Sequence, residues 1–464
     1  MLKRIRTASF EVEAMADKSK VMLEQESIHT LIWKMSIPSI IGILSYNLYN
    51  VLDTIWIAKG VGTLAAGAVS ITSPLFFLLS AVSTTLGSGA GSVISRALGE
   101  EDTEKAGRAT ANTFVVFYLI AIVVTIVGLL FLDELLYGLG ATKVLMPYAR
   151  NYARLTLIGC VTSTAFSGLI RAQGNSRYAM YVWLVPMIVN IILDPLCIFF
   201  LQMGVTGAAV SNLIAQIISV IMSFYYFFLS KNNSVKIKRR HIRLDRKILK
   251  EIILVGLPSF IQLFGYSMTL LIVNRMLREY AGEIAISTYG IVTKINTFLI
   301  IPLNGLVQGI QPIIGYSYGA KKNDRVRNVL KTSSFITGIY AVLVIFIVLL
   351  TAKHILRLFT FDQQVIDLGQ YILKIISAGI IFTGLQSIQT VFFQAIGKIK
   401  ITMVLSFCNS LICFIPSVII SVYFFGVNGV WYSFLISAIM TLSFSSLCLA
   451  SHFRKEKNET RTNS

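Results

Sequence analysis

Two acidic side chains lie inside long apolar runs of this sequence, Asp53 in SYNLYNVLDTIWIA and Asp194 in MIVNIILDPLCIFF. A carboxylate in hydrocarbon costs about 3 kcal/mol on insertion scales, so an acid kept in such a place implies use. Helical spacing supplies polar neighbours. Tyr49 and Asn50 precede Asp53 by about one turn, Asn190 precedes Asp194 by one turn on the same face, and Asn212 in the following apolar run offers another amide. A carboxyl among amides, with no cation beside it, is suited to pick up and release a proton. The same oxygens suit Na⁺, a hard cation that prefers carboxylate and carbonyl ligands. Asp53, Asn190, Asp194 and Asn212 are therefore the candidate cation-coupling residues for H⁺ or Na⁺, and no other cofactor is expected.

Other residue types around them suggest a cavity and hinges. Tyr46, Tyr49, Asn50, Met187 and Tyr266 are candidate lining for flat lipophilic cations, which aromatic faces and adaptable thioethers accommodate. Lys294 is the odd cation of its apolar run and either lines the cavity, snorkels to an interface or pairs across the bundle. Pro38, fifteen residues before Asp53, and Pro195, directly after Asp194, are candidate hinges because each removes a backbone hydrogen bond. Asp194-Pro195 also fits a helix restart, with Asp as the cap and Pro in the first turn.

The elements that must position these residues follow from composition. Of 464 residues, 55% are hydrophobic and 14% charged, against roughly 25% charged in an ordinary soluble protein. That excludes a soluble globular enzyme. Apolar runs of about 20 residues, the length that spans hydrocarbon as a helix, occur at 33–57, 62–88, 111–132, 147–171, 180–202, 206–229, 251–277, 284–309, 333–352, 371–394, 401–424 and 428–451. The runs are continuous rather than alternating, which rules out a strand barrel. The expected fold class is an all-α polytopic membrane protein with twelve transmembrane helices.

The net charge of +19 marks topology rather than nucleic acid, since no RNA-binding signature accompanies it. Of the 41 Lys and Arg, 31 fall in segments on one side of the twelve spans, which places both termini in the cytoplasm of a cell membrane. Membrane lipids are the only other expected partners besides small cationic substrates, and the expected assembly is a monomer. The cysteines Cys160, Cys197, Cys408, Cys413 and Cys448 all sit in apolar runs and read as packing. Residues 1–28 lack the apolar core of a signal peptide, and Met15 and Met22 are alternative starts. The Asn232 and Asn458 triplets lie on the cytoplasmic side, away from glycosylation.

A shift of 220 residues lays Ile37-Pro38-Ser39 on Leu257-Pro258-Ser259, Gly62 on Gly282, Gly89 on Gly309 and Gly99 on Gly319. The register then drifts by two or three, pairing Ala172 with Ala395 and Gly174 with Gly397. The expected organisation is a cytoplasmic segment 1–30, a six-helix lobe 31–230, a basic linker 231–250, a second six-helix lobe 251–452 and a tail 453–464. Six is even, so the two copies share one orientation, as in transporters whose bundles rock about a central cavity. The second copy has Val273 where the first has Asp53, with Asn274 beside it. Gly87-Ser88-Gly89-Ala90-Gly91 has no strand before it and no Lys after it, so it reads as close helix packing rather than a phosphate loop. No Walker A motif, HExxH or paired catalytic constellation appears.

The 6+6 arrangement, Pro38, Tyr49-Asn50-x-x-Asp53-Thr54, Arg171-Ala172-Gln173-Gly174 and Asn190-Ile191-Ile192-Leu193-Asp194-Pro195 together resemble the multidrug and toxic compound extrusion (MATE) family, and within it the DinF-like and MepA-like bacterial branch. The resemblance implies an antiporter that expels cationic amphipathic compounds against H⁺ or Na⁺, with coupling at Asp53, Asn190 and Asp194. Asn212 stands where this branch often has Thr. The acids typical of another branch are missing from the second lobe, as Asn274 and the Gln386/Gln389 region show. The alternative within the same superfamily is a lipid-linked oligosaccharide flippase, which needs cavity cations; Lys294 and Arg154 are the candidates.

Overall fold

A computed structural model describes residues 21–160, 166–230 and 233–462. The described residues form helices and turns without a strand. In the first lobe they are α1 (Ile28–Gly60), α2 (Thr63–Gly99), α3 (Thr103–Leu130), the short α4 (Leu132–Gly138), α5 (Met146–Cys160), α6 (Phe166–Ala172), α7 (Ser176–Pro195) and α8 (Gly204–Phe224). The second lobe holds α9 (Arg246–Tyr280), α10 (Gly282–Gly319), α11 (Asn323–Arg357), α12 (Gln363–Ala378), α13 (Ile380–Ala395), α14 (Ile399–Phe407), α15 (Phe414–Phe425) and α16 (Val427–Thr462). Polar caps set several starts: the Asp102 carboxylate accepts from Lys105 N at 2.8 Å and that of Asp245 from Lys247 N at 2.9 Å.

Ten helical stretches among the described residues are long and apolar enough to cross a membrane. With α2 and the α5–α6 pair, they make the twelve-helix, two-lobe fold. The fourth expected span, 147–171, crosses 161–165, which lie outside the described residues. Cys160 ends α5 just before those residues, and Cys197, Cys408 and Cys413 are buried free thiols. Most helices outrun the apolar stretches that announced them. The helix α2 continues past residue 88 to Gly99, and α10 past 309 to Gly319. These extensions are the glycine-rich ends that pack against the opposite lobe.

That packing forms a seam. The helix α2 lies along α9 and α10, and α1 lies along α10. A Cβ on Gly89 would strike the carbonyl of Ile252, and one on Gly309 would strike Ser36. A Cβ on Gly99 would meet the carbonyl of Tyr316, and one on Gly319 that of Arg96. Each of the latter two contacts is the other displaced by 220 residues, so the repeat read in the sequence is a pseudo-twofold axis through the seam. Side chains stitch it further. The Ser92 hydroxyl donates to Gln394 O at 2.8 Å, the Ser88 and Ser259 hydroxyls bond at 2.9 Å, and Arg96 bonds Glu251 at 3.0 Å. All of these lie at the end of the bundle that carries the linker.

The linker is part of the first lobe's surface rather than a loose tether. Val235 is buried in that lobe's core and Asn233 donates to Phe227 O at 2.9 Å. A 3₁₀ turn, Arg239–Ile242, then inserts His241, 2% exposed, against Gly107 of α3. Asn112 of α3 donates to His241 O at 3.1 Å and accepts from Asp245 N at 2.7 Å.

Close backbone approach at the seam yields a test. Gly89→Ala should lower the thermal midpoint of the detergent-solubilised protein, by about 1–3 kcal/mol of overpacking. Gly338→Ala, where a Cβ meets nothing within 4 Å, should leave it unchanged or raise it. Equal effects of the two substitutions would refute a glycine-dependent seam.

Candidate functional site

Four helices of the first lobe bring polar side chains to one buried spot, in the half of the lobe away from the seam. From α1 come Tyr49 and Asp53, from α5 Tyr152, from α7 Asn190 and Asp194, and from α8 Ser211 and Asn212. Asp53 is 6% exposed and Asp194 fully buried. The approach of α7 to α8 is set by Gly207, where an added Cβ would lie 2.8 Å from the carbonyl of Cys197. Ser211 and Asn212, one turn further along α8, thereby face Asp194 and Asn190.

Asn212 is the hub. Its Oδ1 accepts from the Tyr49 hydroxyl and from Asn190 Nδ2 at 3.1 Å. Its Nδ2 donates to Asp53 Oδ1 at 3.4 Å and to the Tyr152 oxygen at 3.2 Å. The Tyr152 hydroxyl donates in turn to Asp53 Oδ2 at 3.3 Å. On the other side, Asp194 Oδ1 accepts from Asn190 Nδ2 at 3.1 Å and from the Ser211 hydroxyl. The two acids are thus joined through Asn212 and Asn190, with hydroxyls at each end. No Lys, Arg or His pairs with either acid among the described residues.

Two oxygens of this network are buried without a hydrogen-bond partner, Asp194 Oδ2 and Asn190 Oδ1. An orphaned acceptor in such a place costs a desolvation penalty of about 1–3 kcal/mol. Both belong to residues one turn apart on α7, and both are hard oxygen donors. A proton shared between them, or a Na⁺ ion bound by them, would satisfy the pair. No group of three or more His, Cys, Asp or Glu with metal-holding geometry occurs among the described residues. The donor set is therefore acids with amides and hydroxyls, which suits a weakly held monovalent cation.

The structure unites Asp53, Asn190, Asp194 and Asn212, as their spacing suggests, and draws Tyr49 in as well. Asn50 does not join them; it is exposed, and its amide donates back to Tyr46 O at 2.7 Å. A helix restart at Asp194-Pro195 is not what forms. The helix α7 runs through Pro195 into a π-helical turn, Leu196–Phe200, and the Asp194 carboxylate is engaged by Asn190 and Ser211 instead of capping backbone. Likewise α1 continues unbroken through the buried Pro38. Tyr46 meets Trp183 edge to face at 5.0 Å, Met187 is half-buried, and Tyr266 and Lys294 are exposed. The residues that sequence reasoning missed are Tyr152 and Ser211. Hydroxyls recur throughout these apolar helices, bonded to the turn before them, so nothing in composition singles these two out.

The second lobe has no equivalent site. Val273, at the Asp53 position, is buried in apolar packing, Asn274 is exposed, and Gln389 is engaged with Ser445 and Ser446.

Comparison with known proteins places these features. The family described as MatE matches residues 38–196 and 258–420. The multidrug export protein MepA of Staphylococcus aureus (strain N315) is 28% identical over 426 residues, covering 91% of this chain and 94% of the relative. MepA of Staphylococcus haemolyticus is 27% identical with 91% and 93% coverage. Among solved structures, an outward-facing multidrug resistance MATE family transporter of the MOP superfamily superposes with a TM-score of 0.89, 25% identity and 94% and 98% coverage. A MOP superfamily transporter from Pyrococcus furiosus, described as having a binding pocket of reverse polarity, gives 0.86, 26% identity and 93% and 98% coverage.

The hub predicts an energetic coupling. In a double-mutant cycle of Asp53→Asn and Asp194→Asn, read as thermal stability, the two effects should be non-additive by about 1 kcal/mol. In an Asn212→Leu background they should become additive. Additivity in the parent would mean that the acids do not communicate.

Proposed function

Because the chain belongs to the MatE family and is a multi-pass membrane transporter rather than an enzyme, we propose that it is a secondary active multidrug exporter. It expels cationic amphipathic compounds against inward flow of H⁺ or Na⁺, with coupling at Asp53 and Asp194. The observation that carries this reading is the pair of buried carboxylates, held by neutral donors only and linked through Asn212 and Asn190.

The hydrogen-bond pattern supplies a mechanism. Ionised Asp53 accepts two bonds, from Asn212 and Tyr152, which tie α1 to α8 and α5. A proton on either oxygen turns an acceptor into a donor facing a donor, so that one of these ties must rearrange. A Na⁺ ion acts in the same sense, by recruiting the carboxylate oxygens from their donors. Either event frees the far half of α1, and Pro38, where the backbone lacks a hydrogen bond, lets that half bend. Coupling requires that the cation bind the two conformations with different affinity, and each charge moved across 100 mV adds about 2.3 kcal/mol. Tyr46, Tyr49, Asn50, Met187 and Tyr266 then belong to the region whose shape changes, on α1, α7 and α9. The basic linker end is the cytoplasmic face, by the distribution of Lys and Arg.

A flippase for a lipid-linked oligosaccharide is supported less well. It needs cavity cations, and Arg154 lies in a surface recess with Leu129, Asp133 and Arg150.

Ethidium transport in proteoliposomes, with a proton or a Na⁺ gradient imposed separately, tests the proposal and identifies the ion. Asp53→Asn and Asp194→Asn should each reduce gradient-driven transport at least tenfold while ethidium binding persists. Normal transport by both variants would sink the coupling assignment, and no transport by the parent under either gradient would sink the exporter.

A further inference from the structure

Ahead of α1, residues 21–25 are helical and lie not on their own lobe but on the other one. Leu23, 2% exposed, is buried with Leu306, Ile310, Val326 and Leu330 of α10 and α11. Arg325, in the first turn of α11, donates through Nη2 to Leu23 O at 3.0 Å and to Glu26 O at 2.8 Å. Lys322, which precedes α11, bonds Glu24 at 2.6 Å. The contacts include a large buried side chain, two bonds from a guanidinium to backbone and one ion pair. They clip the start of the first lobe to the α10–α11 hairpin of the second.

The repeat gives this clip its meaning. Displaced by 220 residues, the segment becomes the end of the linker, 241–245, which docks on the α2–α3 hairpin through Asn112, Arg108 and Glu104. Each lobe's first helix is thus preceded by a strap that docks on the other lobe, 21–26 on α11 and 241–245 on α3. Both straps cross between the lobes: Asp245 caps α9 of the second lobe and is held by Asn112 and Arg108 of α3 in the first, and the segment 21–26 ties α1 of the first lobe to Lys322 and Arg325 of the second. They differ in chain connection: the linker also follows α8 of the lobe it docks on, whereas 21–26 reaches the α10–α11 hairpin through side-chain and backbone contacts.

We propose that residues 21–26 form a latch that holds the lobes shut at the linker end and must undock from Lys322 and Arg325 before that end can open. Leu23, Glu24, Lys322 and Arg325 are then positioning residues of the transport cycle, remote from the cation site. The inference rests on the two-lobe exporter reading, whose own readout is transport. The latch is read by a different quantity.

That quantity is amide hydrogen exchange of the full-length protein in lipid nanodiscs, followed by mass spectrometry over the seam peptides 88–100 and 305–320. Glu24→Lys and Arg325→Gln should each speed seam exchange at least threefold, with peptides around 190–212 unchanged. The double variant Glu24→Lys/Lys322→Glu should return the seam towards the parent rate, which a general loss of structure would not. If Arg325→Gln does not fold, Arg325→Lys, which keeps the charge and loses the two-carbonyl fork, should give a smaller acceleration of the same peptides. Parent-like seam exchange in folded Glu24→Lys and Arg325 variants would overturn the latch, whatever ethidium transport shows. Accelerated exchange with no transport by the parent would leave the latch standing and remove the exporter.

Discussion

Everything in the first lobe answers to one constraint, that two carboxylates are buried with only neutral hydrogen-bond donors around them. Charge in a low-dielectric interior is expensive, and a counter-cation from the protein would have removed the expense together with any reason for an external ion to bind. The lobe instead spreads the stabilisation over four helices. Asn212 uses both ends of its amide, Asn190 bridges to Asp194, and Tyr152 and Ser211 supply hydroxyls. Such a network is rigid when satisfied and responsive when one proton or ion is added, since a single reversal of donor and acceptor propagates through the hub. The oxygens left over, Asp194 Oδ2 and Asn190 Oδ1, are the part of the network without a hydrogen-bond partner.

The seam solves a different problem with opposite means. Helices in lipid gain little from apolar contact, so they associate by close packing of small residues. Gly89, Gly99, Gly309 and Gly319 let backbones touch, and Ser92, Ser88 and Arg96 then bond Gln394 O, the Ser259 hydroxyl and Glu251 across the gap. The seam follows the pseudo-twofold axis while the acid network does not. Duplication has kept in both halves what lets lobes meet, and chemistry remains in one half only, with Val273 packed where its counterpart is Asp53.

Much of this was legible in the sequence. The twelve helices and the repeat follow from hydropathy and from glycine spacing, because bilayer thickness and close approach are strict requirements. Asp53, Asn190, Asp194 and Asn212 stand out because polar groups in apolar runs are costly. What hid was neutral or depended on tertiary contact. Tyr152 sits between Arg150 and Arg154 and looks like an interfacial aromatic, and Ser211 is one serine among many. Asn50 seemed an equal neighbour of Asp53, yet three residues along a helix turn it to a different face, and its amide closes on its own backbone. Asp194-Pro195 suggested a break, whereas a π-helical turn absorbs the proline with the helix intact. The straps were invisible because their partners are hairpins of distant segments.

The helix α1 connects the two regimes. Ser36 and Ile40 lie against Gly309 and Gly305 in the seam, while Tyr49 and Asp53 lie in the network, about 14 to 25 Å further along at 1.5 Å per residue. Pro38 falls among the seam contacts rather than midway, so a bend there would move the far half while the seam end stays anchored by α10. The far half of α1 packs on α7 and buries Ile57 with Ile198 and Val205, and its polar links there are the hydrogen bonds of Asp53 and Tyr49. The duplicated helix α9 keeps Pro258 at the register of Pro38 but buries Val273 in apolar packing where α1 carries Asp53, so the asymmetry of the halves lies in the polar network and not in the backbone that frames it.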